Sequence, residues 1–234
     1  LAVKYCASLP LADAGVDKPV CSGSSVQIGS ASIPNYIYSW SPATGLNNAN
    51  SSNPLASPTT NTTYILTVTS PSGCSSKDTV NVTVVPAPVA NAGADQSVCN
   101  GSGVQIGTSP VADNTYSWSP ISGLSSSTVA NPIRSSTSTQ TYTLTVTNTA
   151  NCTSTDQVVV TIKPLPNTTL TASPSNSVCN GDAVTLTAGG ATTYVWSPGG
   201  SGTSQIITPS STITYSVTGT TNGCDKSATQ TITV

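Results

Sequence analysis

The stretch "TYTLTVT" at residues 141–147 alternates without a break: Tyr142, Leu144 and Val146 on one side, Thr143, Thr145 and Thr147 on the other. A period of two places the apolar set on one face of an extended chain, whereas a helix would scatter it around the cylinder. Apolar on one face and threonine on the other describes a half-buried antiparallel strand. Near copies stand at 63–69 ("TYILTVT") and 214–220 ("TYSVTGT"). Each is followed by a second alternating run: "DTVNVTV" (78–84), "DQVVVTI" (156–162) and "ATQTITV" (228–234). Clusters of Asn, Gly, Ser and Pro separate the runs, and no segment sustains a helical period. The chain is expected to be all-β, with six to eight short strands per repeat.

The repeat is long. "YSWSP" occurs at 38–42 and 116–120 and "YVWSP" at 194–198, so Trp40, Trp118 and Trp196 follow one another at intervals of 78 residues. That period exceeds a solenoid unit and suits a small domain. "ADAGVDKPVCSGSSVQIGS" (12–30), "ANAGADQSVCNGSGVQIGT" (90–108) and the looser "ASPSNSVCNGDAVTLTAGG" (172–190) open the three copies. The expected division is an extended strand over 1–9 and modules over 10–87, 88–165 and 166–234. Trp40, Trp118 and Trp196, with Tyr64, Tyr142 and Tyr215, are expected in the cores. The rival reading makes the tryptophans platforms that stack on sugar rings.

A module of this size buries only about 60% of its unfolded surface and usually needs a covalent staple. Pairing within each repeat, as Cys21–Cys74, Cys99–Cys152 and Cys179–Cys224, is the simplest connectivity, although six cysteines allow fifteen. A bond closing 53 residues would contribute about 4 kcal/mol. Cys6 is left over, either for an intermolecular bridge or as a buried thiol. Stable disulfides imply an oxidising compartment outside the cytoplasm, and a start at Leu1 fits removal of an export signal.

Charged residues are 6% of the chain and the formal net charge is −2, which leaves no basic patch for nucleic acid. No apolar run approaches the ~20 residues of a membrane-spanning helix. The chain has no histidine and no glutamate, and its eight acids are scattered aspartates. His-dependent triads and paired-carboxylate chemistry therefore have no candidates, and no enzyme, catalytic residue or obligatory cofactor is expected. Asp13 and Asp17, with Asn91 and Asp95 at the next joint, could offer oxygens to Ca²⁺. Asx hydrogen bonds in turns are the competing reading of the same residues.

The order of motifs, a Cys-x-Gly turn, "Y-x-W-S-P-x-x-G-L", "T-Y-x-L-T-V-T", a second Cys and "D-x-V-x-V-T-V", resembles the immunoglobulin-like and PKD-like repeats of Bacteroidetes surface proteins. Those include exported adhesins and cargo of the type IX secretion system. The resemblance runs from about residue 10 onward and implies three tandem immunoglobulin-like β-sandwich domains in a rod. The second cysteine departs from the immunoglobulin pattern: Cys74 follows Tyr64 by ten residues and falls in a turn. Its bridge is therefore expected at an edge or an end of the sandwich. Asp78-Thr79-Val80 resembles the Asp-Ser/Thr-apolar O-glycosylation motif of Bacteroidetes, which makes Thr79 a candidate acceptor.

"VVPAPVANAG" (84–93) and "IKPLPNTTLT" (162–171) join the modules, and Pro-x-Pro favours a semi-rigid spacer. Three modules in line should span about 100–120 Å. "LAVKYCASLPLADAG" (1–15) aligns with "TVNVTVVPAPVANAG" (79–93), so residues 1–9 take the place of a last strand and joint. Leu1, Val3 and Tyr5 alternate with Ala2, Lys4 and Cys6, and such a strand could add to an edge of a neighbouring subunit. The alternative is a leader that frays or folds back on the first module. The functional expectation is an extracellular structural subunit of a cell-surface fibre assembled from copies of itself. The alternatives are an adhesin binding glycan or another cell surface, and a spacer in a larger secreted protein.

Overall fold

The computed structural model describes residue 6 and residues 8–234, which contain no helix. Leu1, Val3 and Tyr5 lie outside the described residues. The first module contains β1 (Lys18–Cys21), β2 (Val26–Gln27), β3 (Ile37–Ser41), β4 (Leu55–Ala56), β5 (Thr62–Thr69) and β6 (Ser75–Val85). They form a four-stranded sheet, β1-β6-β5-β3, opposed by the short pair β2-β4. The β5–β6 and β3–β5 pairs are antiparallel, whereas β1 runs parallel to β6 with Cys21 level with Val85.

The second module repeats this plan. It has β7 (Gln96–Cys99), β8 (Gly103–Gln105), β9 (Thr115–Ser119), β10 (Ile133–Ser135), β11 (Gln140–Thr147) and β12 (Thr153–Lys163). Its sheets are β7-β12-β11-β9 and β10-β8. In the third, β13 (Thr169–Ser173), β14 (Val184–Gly189) and β16 (Ser204–Ile207) form one sheet. The other sheet contains β15 (Thr193–Ser197), β17 (Ile213–Thr221) and β18 (Cys224–Ile232). Here the parallel contact with the last strand shrinks to a single bridge, Ser177 to Thr233. The protein is all-β, a tandem of immunoglobulin-like sandwiches.

The alternation that defines the strands is also the pattern of burial. Along β11, Tyr142, Leu144 and Val146 are buried and join Trp118, Val158 and Val160 in one apolar cluster. Equivalent clusters form around Trp40, Tyr64, Leu66 and Val80, and around Trp196, Leu186, Val217 and Ile232. Tyr215 is half-buried and packs against the third cluster. Trp40, Trp118 and Trp196 are 3%, 1% and 3% exposed. Their indole N–H groups donate to the carbonyls of Ser51, Val129 and Gly202 at 2.8, 2.9 and 2.8 Å. An indole with its one donor satisfied inside the sandwich is a brace, and its flat face is not offered to a ligand.

The brace explains the glycine of "VQIG". Gly107 has φ +77°, and a Cβ there would stand 2.9 Å from Cζ2 of Trp118 and collide with the Ala130 carbonyl oxygen. G107A is expected to destabilise the module by at least about 3 kcal/mol, strain and overpacking combined. At Gly101, also left-handed, a Cβ would meet nothing within 4 Å, so G101A should lose only about 1–2 kcal/mol. Urea midpoints of the two variants test the difference; equal losses would show that the indole does not press on Gly107.

Candidate functional site at the module joints

Each module carries one cysteine at either end of its last strand. Cys74 immediately precedes the eleven-residue β6, and Cys21 lies level with its final residue. At about 3.3 Å per residue, more than 30 Å separates them. A disulfide needs Cα atoms within about 7 Å. The within-repeat pairs Cys21–Cys74, Cys99–Cys152 and Cys179–Cys224 therefore do not form, and the sequence reading is corrected. The bonds are Cys6–Cys74, Cys21–Cys152 and Cys99–Cys224, with Cα separations of 5.9, 5.5 and 5.6 Å. Cys6 is thus neither a free thiol nor an intermolecular bridge; the free cysteine is Cys179, which is exposed.

Two bonds cross the joints, and their polarity is the same. The cysteine that ends the first strand of one module, its exit cysteine, bonds the cysteine at the start of the next module's last strand, the entrance cysteine. Cys21 leads to Cys152, and Cys99 leads to Cys224. Hydrogen bonds reinforce the first joint: Asn148 Nδ2 donates to the Pro86 carbonyl at 3.1 Å, and Ser154 Oγ donates to that of Pro88 at 2.6 Å. At the second joint Lys163 Nζ reaches the Asn222 carbonyl at 3.3 Å.

The N-terminal segment reproduces a joint. Ser76 Oγ donates to the Pro10 carbonyl at 2.6 Å, as Ser154 does to Pro88. The amide of Ala14 donates to Asp78 Oδ2 at 2.8 Å, as that of Ala92 does to Asp156. Cys6 aligns with Val84, whose neighbour Val85 lies level with the exit cysteine Cys21. It fills the entrance at Cys74 in place of such a cysteine. Ser8 and Leu9 belong to no strand, and Leu9 is exposed.

The proposed calcium residues have other partners. Asp17 accepts the Asn81 backbone N–H at 2.8 Å and its side-chain amide at 2.9 Å, and Asp95 accepts the Val159 N–H at 2.8 Å. Asp13 and Asn91 accept the amides of Gly15 and Gly93, both at 3.0 Å, as Asx turns do. No group of three His, Cys, Asp or Glu able to hold a metal occurs among the described residues.

The Asn81 side-chain and backbone hydrogen bonds hold the Asp17 carboxyl below its ordinary value of 3.8. A depressed carboxylate pKa adds stability above the unfolded value, which is lost as pH falls through the folded one. The Tm gap between wild type and D17N should therefore close as pH falls below about 4; a gap unchanged at acid pH would show that the carboxylate charge plays no part. The side chain is fully solvated, so the effect is small.

Arg134 escaped the sequence reading. On β10 it is fully buried, with Nε 3.4 Å from Tyr142 Oη, Nη1 3.4 Å from the Ser136 carbonyl, and Nη2 on that of Ser138. The only cue was its replacement of Ala56 between "NPIRSSTS" (131–138) and "NPLASPTT" (53–60). Beside this region an open groove is lined by Val104, Gln105, Val129, Asn131 and Ile133, with no titratable group. No described helix is long and apolar enough to cross a membrane.

No family model matches the sequence, and no curated protein matches it. Among solved structures, similarity is found to the I67–I69 I-band fragment of titin, at 12% identity and TM-score 0.48, over 97% of this chain and 99% of that one. The N-terminal eight Ig domains of Down Syndrome Cell Adhesion Molecule give 12% identity and TM-score 0.43, over 96% of this chain. Sidekick-1 immunoglobulin domains 1–5 give 11% identity and TM-score 0.38, also over 96%. The chain spans 42% and 58% of the length of the latter two. Likeness at this level says nothing of function.

Proposed function

We propose that this protein is an extracellular structural subunit, a rod of three sandwiches over 10–87, 88–165 and 166–234 that joins copies of itself head to tail in a cell-surface fibre. The observation that carries this reading is the pair of disulfides crossing the joints. A bond from the far end of one last strand to the near end of the next restrains the modules in line and transmits tension covalently past both linkers. Three disulfides favour an oxidising, extracellular setting, in keeping with the resemblance to exported Bacteroidetes repeats. Exposed Thr79, opposite Ile65 on the outer face of the sheet, is sterically open to a glycan. The segment over 1–9, with Leu1, Val3 and Tyr5 on one side, is the proposed donor strand.

The test is electron microscopy of purified, oxidised protein. Fibres with an axial repeat near three module lengths, about 100 Å, support the proposal. Monodisperse particles that bind immobilised glycan would instead favour the adhesin reading and overturn this one.

A further inference from the structure

Resting on the head-to-tail reading, we propose that Cys179 forms a disulfide with Cys74 of a second copy of this chain, by exchange with the Cys6–Cys74 bond. Cys179 is the one exit cysteine without a partner. Its counterparts Cys21 and Cys99 are both bonded to the entrance cysteine of the following module. Local structure presents all three alike. The carbonyls of Cys21, Cys99 and Cys179 accept the amides of Ser24, Ser102 and Asp182 at 2.9, 2.9 and 3.1 Å. The turn glycine two residues after each has φ +80°, +84° or +87°. "SVCNG" is identical at 97–101 and 177–181. Cys179 also sits beside the end of its last strand, with the Val178 amide donating to the Thr233 carbonyl at 3.0 Å. Residue 179 thus shares the turn and the place of the other two exits beside the end of a last strand, although it ends no strand itself and only the bridge of Ser177 to Thr233 pairs it there.

The matching entrance is Cys74. Cys152 and Cys224 take the same position at the start of their last strands and receive exit cysteines. Cys74 instead holds Cys6, which hangs from a segment tied to its own module through Ser76 and Pro10. Those ties match the ones joint residues make in the middle module, so the segment can remain docked while its cysteine changes partner. Cys6 is exposed and Cys74 is 3% exposed, which orders the steps. The Cys179 thiolate attacks Sγ of Cys6; the Cys6–Cys74 bond breaks and its electron pair leaves on Cys74. The Cys74 thiolate then attacks Sγ of Cys179; the Cys179–Cys6 bond breaks and Cys6 leaves as a thiolate, taking up the proton that Cys179 gave. One disulfide is consumed and one formed, so no oxidant or reductant is required.

The experiment follows the single thiol of the oxidised 234-residue chain. Protein at rising concentration is alkylated, run on non-reducing gels and digested for disulfide mapping, alongside C179S and C6S variants and with electron microscopy in parallel. A covalent ladder containing Cys179–Cys74 peptides, with alkylation moving from Cys179 to Cys6 one for one and no ladder in C179S, is the expected result. In C6S, whose Cys74 is a thiol, the same cross-link should form only when an oxidant such as diamide is added. Fibres in which Cys179 is still alkylated and Cys6–Cys74 intact would overturn the exchange and leave the fibre reading standing. A mapped Cys179–Cys74 ladder without fibres would do the reverse. Stable Cys179–Cys6 or Cys179–Cys179 bonds, or native material with Cys179 bonded to a cysteine outside these 234 residues, would also overturn it. Protein that stays monomeric and unexchanged would end both.

Discussion

C21S and C152S are expected to lower stability by the same amount, about 5 kcal/mol for a loop of 131 residues in the chain-entropy treatment. The double variant should lose no more than either single one. Both halves of that result follow from the bond they share. Removing either sulfur opens the same loop, so the cycle closes with a coupling energy equal to the single loss. In thermal melts the shift should be on the order of 10 °C or more for the modules flanking the first joint. C99S and C224S should form a second matched pair. Pairing within repeats gives a different grouping, in which C152S behaves like C99S and is additive with C21S. Opening the joint should also widen the range of angles between the first two modules, measurable as a broader distance distribution in small-angle scattering. The module cores do not depend on the bond, so far-ultraviolet circular dichroism below the transition should stay unchanged.

W118A is expected to destabilise the middle module by about 3–5 kcal/mol. The side chain is 1% exposed, braces the inner faces of both sheets and closes over Gly107. Truncation leaves a cavity that the rigid strands on either side cannot fill, and it orphans the Val129 carbonyl that accepts the indole N–H. In wild-type protein acrylamide should quench all three tryptophans weakly, because no indole face reaches solvent. Urea unfolding of W118A gives the energy, and quenching of the native protein gives the burial. Strong quenching with a stability loss under about 1 kcal/mol would return the tryptophans to the role of surface platforms.

Alternation in "TYTLTVT", the interval between tryptophans and the turn clusters sufficed to reach an all-β chain of repeated modules with Trp40, Trp118 and Trp196 inside, and the resemblance to immunoglobulin-like repeats implied the sandwich. These features are local: a strand's inner face is written in every second residue, and a repeat carries the same face three times. The partners of the cysteines were not legible in that way. Spacing along the chain says nothing about which end of a strand a residue reaches. The pairing turned on β1 running parallel to β6, which carries Cys21 a full strand length away from Cys74. Arg134 was hidden for a similar reason, since its carbonyl partners come from a loop whose path only the packed sandwich sets. Composition and period thus decide what a strand buries, while the meeting of ends across a joint is a distance in space, and only the folded chain supplies it.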